Sequence, residues 1–141
     1  MDAIELLTND HDTVRKLFDQ FRSAEDDEDR QRELQQEIFE ELETHTRIEE
    51  DIFYPAVKDL GVEDLTETVD EGIQEHHVVK VLMREIRDVS SHDVFDAKMA
   101  VLIENVEHHA DEEESELFPE LREHMDQARL DELGDQLAAA K

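Results

Sequence analysis

The sequence predicts an all-α protein: an antiparallel up-down-up-down four-helix bundle followed by a short C-terminal helix. Only three Gly and two Pro interrupt its 141 residues, which favours helices over the many turns of an all-β fold. Apolar residues recur at helical spacing in four long segments. The connections between those segments are short, so neighbouring helices should run antiparallel. We expect one domain over residues 1–141, with the bundle at about 1–124 and the last helix at about 126–139.

The predicted helices follow one another along the chain, each marked by apolar residues on one face. Acidic residues 24–29 are expected to form an exposed connection after the first helix or the start of the second. The second helix should end near Gly61, the third should stop at Ser90 and Ser91, and the fourth should begin near Asp93. The C-terminal helix is expected to be interrupted or frayed around Gly134. In chain order, the apolar positions are Ile4, Leu7, Val14, Phe18 and Phe21; Leu34, Ile38, Leu42, Ile48 and Ile52; Val69, Ile73, Val79, Met83 and Ile86; Met99, Leu102, Val106 and Leu117; and Leu130, Leu133 and Leu137.

The composition excludes several classes of function. Cysteine is absent, so any metal must be bound by His, Asp or Glu. The formal net charge of −28 repels phosphate backbones and anionic lipids, which argues against nucleic-acid and membrane partners. Adaptation to high salt or simple solubility explains such acidity, and attraction of cations is the functional alternative. No apolar run approaches the roughly 20 residues of a membrane span, and no secretory signal is visible, so a cytoplasmic protein is expected.

The chain contains an internal repeat. Residues 42–55 align with residues 106–119 without a gap, and residues 10–17 resemble residues 75–82 at nearly the same interval. Each half therefore contributes one lone His and then a His-x-x-x-Glu motif. The sequence predicts two helix pairs related by a pseudo-twofold axis.

The repeated motifs predict a buried metal site. Residues four apart lie about 40° from each other on a helical wheel, so each His-x-x-x-Glu pair projects from one face, and that face is apolar. The predicted inward ligands are His11, His45, Glu49, His76, His109 and Glu113. An uncompensated inward carboxylate costs several kcal/mol, and two would exhaust much of a total stability of about 5–15 kcal/mol. Paired metal ions resolve this conflict. Nitrogen and oxygen ligands suit non-haem iron and leave manganese and zinc as alternatives. The other interpretation is a bundle with hydrogen-bonded His and Glu at its surface.

This ligand pattern resembles the hemerythrin-like (HHE cation-binding) family over roughly residues 1–123. Glu50 with Tyr54-Pro55, and Glu114 with Phe118-Pro119, match the residues that flank the family motif. The resemblance implies two iron ions joined by an oxo or hydroxo bridge, with Glu49 and Glu113 bridging them. By the symmetry of the repeat, we expect His11 and His45 to bind one iron, and His76 and His109 to bind the other.

One departure separates this chain from the oxygen carriers of that family. The carriers have a fifth His one turn from another His on the third helix, whereas Gly72 and Lys80 stand one turn from His76 here. The second carboxylate, Glu113, is also a Glu four residues after His rather than an Asp five residues after. The chain thus resembles the bacterial single-domain branch. Fewer protein ligands leave more exchangeable positions, which favours turnover over storage of O₂.

The remaining polar residues carry weaker predictions. His77 and His108 are expected at the surface or behind the ligands, and His92, in a loop, and His124 are expected to be solvated. Helical phasing places Tyr54 away from His45, so a role in packing or in an interface is expected, with a role beside the iron as the alternative. Lys80 is expected to extend its ammonium into solvent; the alternative is that it leans over the centre and holds an anionic ligand. Glu112 and Glu114 are expected on a solvated acidic face.

Three functions fit the sequence. In the first, the metal centre itself reacts with a small oxidant (hydrogen peroxide, O₂ or NO) in oxidative or nitrosative stress defence, with catalase- or peroxidase-like activity. In the second, it binds O₂ or senses iron or oxygen without turnover. In the third, the chain is an interaction protein with an accidental His cluster. A Gly-rich phosphate loop, His-Glu-x-x-His and the Glu-x-x-His of ferritin-like proteins are all missing. The oligomeric state is left open.

Overall fold

The protein, described over residues 1–141 by a computed structural model, consists of five helices and contains no strand. Helix α1 is Ala3–Ser23, α3 is Glu63–Asp88 and α5 is Gln127–Ala140. Helix α2 runs through Glu28–Ile48, Glu49–Phe53 and Tyr54–Lys58, and α4 runs through His92–Glu112, Glu113–Leu117 and Phe118–His124. The predicted all-α bundle with a C-terminal helix is confirmed. None of the five helices combines the length and the apolar character that crossing a membrane requires.

Aspartates begin three of the helices. Asp2 forms a capping box with Glu5, and Asp27 and Asp126 accept hydrogen bonds from backbone amides of the first turns of α2 and α5. These side chains satisfy amides that have no partner within the helix. Gly61 lies in the connection between α2 and α3 with a φ of 69°, a left-handed conformation that other residues rarely adopt.

A π-helical turn interrupts each of the two long even-numbered helices. The amide of Tyr54 donates to the carbonyl of Glu49, and the amide of Phe118 donates to the carbonyl of Glu113, so the hydrogen bonds span five residues instead of four. Each such turn begins at an inward glutamate. One extra residue in a turn rotates everything that follows by about 100° relative to an uninterrupted α-helix.

The core is divided by a polar layer. Helix α1 packs along α2, α3 packs along α4, and α5 packs on α1. One hydrophobic cluster of 18 buried residues includes Leu7 and Ile48, and a second of 14 includes Val14 and Leu42. The predicted ligand His11 lies between Leu7 and Val14 along α1, so the polar layer separates the two clusters.

The C-terminal helix is continuous, which contradicts the expected break at Gly134. Gly134 is buried in its middle, and a β-carbon there would lie 2.4 Å from the carbonyl oxygen of Met1. The glycine therefore permits close contact with the N-terminal backbone, which a breaker pattern in the sequence does not reveal. Leu130, Leu133 and Leu137 are buried in the cluster that contains Leu7.

Candidate metal centre

The six predicted ligands converge in the polar layer, and all six are buried. One ligand atom from each member of a group lies within 4.8 Å of the others in two groups, which share Glu49. The first group contains His11, His45, Glu49 and Glu113; the second contains Glu49, His76 and His109. The fold therefore brings together one histidine from each of four helices and one glutamate from each π-helical turn.

The two glutamates lie between the two histidine pairs. Glu49 Oε1 is 3.0 Å from Nε2 of His45 and 3.1 Å from Nε2 of His76. Glu113 Oε1 is 3.1 Å from Nε2 of His11, and its Oε2 is 3.4 Å from Nε2 of His109. Each carboxylate thus faces one histidine from each pair, as a carboxylate shared by two cations must.

Five buried atoms at this centre have no hydrogen-bond partner. They are Nε2 of His11, Nε2 of His45, both carboxylate oxygens of Glu49, and Oε1 of Glu113. Some of these nitrogen and oxygen atoms lie close to each other, but their angles are wrong for hydrogen bonds. Unsatisfied buried polar atoms are costly and therefore rare. Imidazole nitrogens and carboxylate oxygens are the donors that first-row divalent metals accept, so the residues present fit a metal centre.

Four carboxylates surround the histidines and accept a hydrogen bond from each Nδ1. The pairs are His11 with Glu114 at 2.7 Å, His45 with Asp10 at 3.0 Å, His76 with Glu50 at 2.9 Å, and His109 with Glu75 at 2.9 Å. Because a carboxylate only accepts, each Nδ1 carries the proton and each Nε2 is left to face the centre.

The hydrogen bonds of these four carboxylates to the histidines were not predicted, although the repeat contained the signal. Asp10 and Glu75 directly precede the lone histidines, and Glu50 and Glu114 directly follow the inward glutamates. Glu114 was expected on a solvated face, and that was wrong: it accepts from His11 and is only partly exposed. The partner of each histidine lies on another helix, so helical periodicity within one segment does not reveal it.

Three of the four outer carboxylates also contact a cation. Glu114 lies 2.8 Å from Arg15, Glu50 lies 2.7 Å from Lys80, and Asp10 pairs with Lys141, the residue that follows the C-terminal helix. Lys80 therefore stays exposed and does not lean over the centre. Glu75 has no Lys or Arg partner.

The buried glutamates favour positive charge at the centre, as the pKa values of the neighbouring histidines show. Burial lowers the pKa of His45, but Glu49 and Asp10 outweigh burial and raise that pKa to about 10. Burial also lowers the pKa of His109, but the neighbouring Glu113 outweighs burial and raises that pKa to about 11. Burial raises the pKa of Glu113 itself, yet His109 and His11 hold this pKa well below its ordinary value. Protons on the imidazoles thus balance the buried carboxylates when no cation does so.

Tyr54 lies at the centre, which contradicts the phasing argument from the sequence. Its hydroxyl donates to Glu113 Oε2 at 2.7 Å and lies 3.2 Å from His109 Nε2 and 3.3 Å from His76 Nε2. The π-helical turn before it rotates its side chain inward. Gly72 leaves room for it, since a β-carbon there would lie 3.1 Å from the hydroxyl oxygen. Burial, Glu49 and Glu113 raise the pKa of Tyr54, so the phenol stays protonated.

Two cavities flank the centre. A chamber of about 30 Å³ is bounded by the four histidines, by six apolar side chains and by Arg15, Thr46, Glu75 and Glu107. The six apolar residues are Val14, Phe18, Leu42, Val79, Val106 and Ala110. A polar pocket of about 50 Å³ reaches Tyr54, His109 and Glu113 from the other side. The exposed histidines His77, His108 and His124 lie outside the centre, and His92 is the first residue of α4 rather than part of a loop.

Comparison with known proteins identifies relatives of the whole chain. The family model "Hemerythrin HHE cation binding domain" matches residues 2–121. An uncharacterised protein of Mycobacterium tuberculosis strain H37Rv, Rv2633c, is 31% identical over 140 residues, which are 99% of this chain and 84% of that protein. The crystal structure of an HHE cation-binding domain-containing protein from Mycobacterium kansasii, a homologue of Rv2633c, superposes with a TM-score of 0.83 at 28% identity, covering 99% of this chain and 84% of the other. A protein named DNA nickase from Nostoc sp. is 28% identical over 143 residues, but the chain covers only 39% of it.

Proposed function

This chain belongs to the hemerythrin HHE cation-binding domain family, and from that premise we propose that it binds two iron ions that react with small oxidants, above all hydrogen peroxide. The proposed ligands are His11, His45, Glu49, His76, His109 and Glu113. The role that follows is defence against oxidative or nitrosative stress.

The observation that carries this proposal is the group of unpartnered atoms inside the bundle. Glu49 has both oxygens buried without a hydrogen bond, and the Nε2 atoms of His11 and His45 are in the same state. Two cations would satisfy these atoms and neutralise both glutamates. Four imidazoles and two carboxylates, without thiolates, suit non-haem iron with exchangeable positions. Bound iron supplies the redox chemistry that a peroxide needs.

The chain's own residues select the oxidant and control protons. The apolar chamber of about 30 Å³ admits a molecule of only a few atoms and excludes larger reductants and metabolites. The phenol of Tyr54 stays protonated, and its hydroxyl donates a hydrogen bond to Glu113 beside His76 and His109. In the proposed reaction, one peroxide loses two electrons and two protons to become O₂. A second peroxide takes them up and becomes two water molecules.

Metal analysis and peroxide turnover test this function together. We expect about two irons per chain, a visible absorption spectrum and rapid release of O₂ from added peroxide. His76→Ala should lose iron and O₂ release. His77→Ala is the matched control, because that neighbouring histidine is exposed and should leave both unchanged.

The other outcomes separate the competing functions. Two irons with a reversible optical response to O₂, but no O₂ release from peroxide, would replace the enzyme with a carrier or sensor. A chain without metal after expression in iron-rich medium would refute the metal centre itself.

A further inference from the structure

A second group of metal-ligating side chains lies at the surface beside the centre. Glu75 on α3 and His108 and Glu112 on α4 place one ligand atom each within 4.8 Å of one another. His108 Nε2 lies 2.9 Å from Glu112 Oε1. The side chains of His108, Glu112 and Glu75 are 68%, 39% and 34% exposed, so an ion in solvent can reach all three.

The polar pocket joins this group to the centre. It is lined by five glutamates whose exposure falls from the surface inward: Glu71, Glu116, Glu112, Glu75 and Glu113. Tyr54 and His109 lie at its buried end. Gly72 stands in its wall, and a β-carbon there would come within 3.2 Å of His109 Cε1. Carboxylates therefore line the pocket from solvent to a proposed ligand.

Glu75 belongs to both the surface group and the centre. Its Oε1 accepts from His109 Nδ1 at 2.9 Å, while its carboxylate also faces His108 and Glu112. Alone among the four outer carboxylates, it contacts no Lys or Arg. A divalent cation at the surface group would occupy the position that Lys80, Arg15 and Lys141 take beside the other three.

The internal repeat shows that only one half of the bundle carries this arrangement. The positions equivalent to His108, Glu112 and Gly72 are Thr44, Ile48 and Leu7, and the position equivalent to Tyr54 is Phe118. Ile48, Leu7 and Phe118 are buried, and helix α5 covers that side. Buried apolar side chains therefore block ions on the side of α1 and α2, whereas the polar pocket between α3 and α4 leaves them a path.

We infer that Glu75, His108 and Glu112 form an outer binding site for a divalent cation, from which Fe²⁺ passes through the polar pocket to the centre. This inference rests on the proposed function, because it supplies the metal that the centre requires. Five carboxylates along the route, in a chain of net charge −28, concentrate divalent cations at its entrance.

The test compares two double variants of α4. His108→Ala/Glu112→Gln removes the outer site and leaves all six proposed ligands in place. His92→Ala/Asp96→Asn is the matched control, since it removes another His–carboxylate pair of the same helix. These two residues are also four positions apart in the sequence, and their side chains lie 3.2 Å from each other. The iron-loaded protein is titrated with Mn²⁺, followed by electron paramagnetic resonance. Its iron is then reduced anaerobically, and exchange with added radioactive Fe²⁺ is timed.

We expect the wild type and the control to bind one Mn²⁺ beyond the two irons. The outer-site variant should bind it at least roughly tenfold more weakly and exchange iron roughly tenfold more slowly. Equal Mn²⁺ affinities in both variants would overturn the outer site, and equal exchange rates would overturn the route. A wild type that holds two irons but shows no third ion refutes only this inference, whereas a wild type without iron refutes the proposed function.

Discussion

Substituting Gly134 tests how tightly the C-terminal helix is docked. In Gly134→Ala, the added methyl group would lie 2.4 Å from the Met1 carbonyl oxygen, 2.8 Å from a backbone carbon of Asp2 and 2.9 Å from the amide nitrogen of Ala3. Ordinary contacts begin near 3.4 Å, so the two segments must separate by about 1 Å. All three neighbours are backbone atoms and cannot rotate away.

Two costs oppose one gain in this variant. Overpacking of this kind costs about 2 kcal/mol. Displacing Asp2, which caps α1, costs about 1 kcal/mol more, whereas alanine in a helix gains about 1 kcal/mol over glycine. The net loss of about 2 kcal/mol should lower Tm by roughly 6 °C.

Thermal unfolding followed by circular dichroism measures this loss at equal metal content. Asp135→Ala is the control, because this neighbour on the same helix is exposed and should leave Tm nearly unchanged. A Gly134→Ala protein that unfolds at or above the wild-type temperature would refute the close contact between α5 and the N-terminus.

Three further predictions concern the centre. Tyr54→Phe removes a hydroxyl beside the proposed irons, so the visible spectrum should shift at unchanged iron content; an identical spectrum would place the hydroxyl outside the centre. Asp10→Asn weakens the acceptor of a histidine proton and should lower metal affinity roughly 10- to 100-fold in chelator competition, whereas exposed Asp12→Asn should not; equal losses would argue against the outer carboxylates. Because the pKa values of His45 and His109 rise to about 10 and 11, both are protonated at neutral pH without metal, and metal binding must release these protons. Affinity should therefore increase with pH, and pH-stat titration should record at least two protons per pair of ions; release of none would contradict these pKa values.

Local pattern accounts for much of what the sequence predicted. Residues four apart share a helix face wherever the helix is regular, so His45 with Glu49 and His109 with Glu113 could be paired without a structure. The repeat then predicted that the second half of the bundle mirrors the first. The structure brings all six predicted ligands together, and their metal binding stays a prediction for elemental analysis to test.

The helical fold, the inward position of the six proposed ligands and the net negative charge could all be predicted without a structure, because they depend on spacing and composition within single segments. The inward position of Tyr54 became visible only in the folded chain, because the π-helical turn that begins at Glu49 leaves no trace in the spacing of apolar residues. The folded chain also shows which carboxylate supports each histidine and why Gly134 lies inside a continuous helix. Those contacts join different helices, and their register is set by packing across the bundle rather than by periodicity within any one helix.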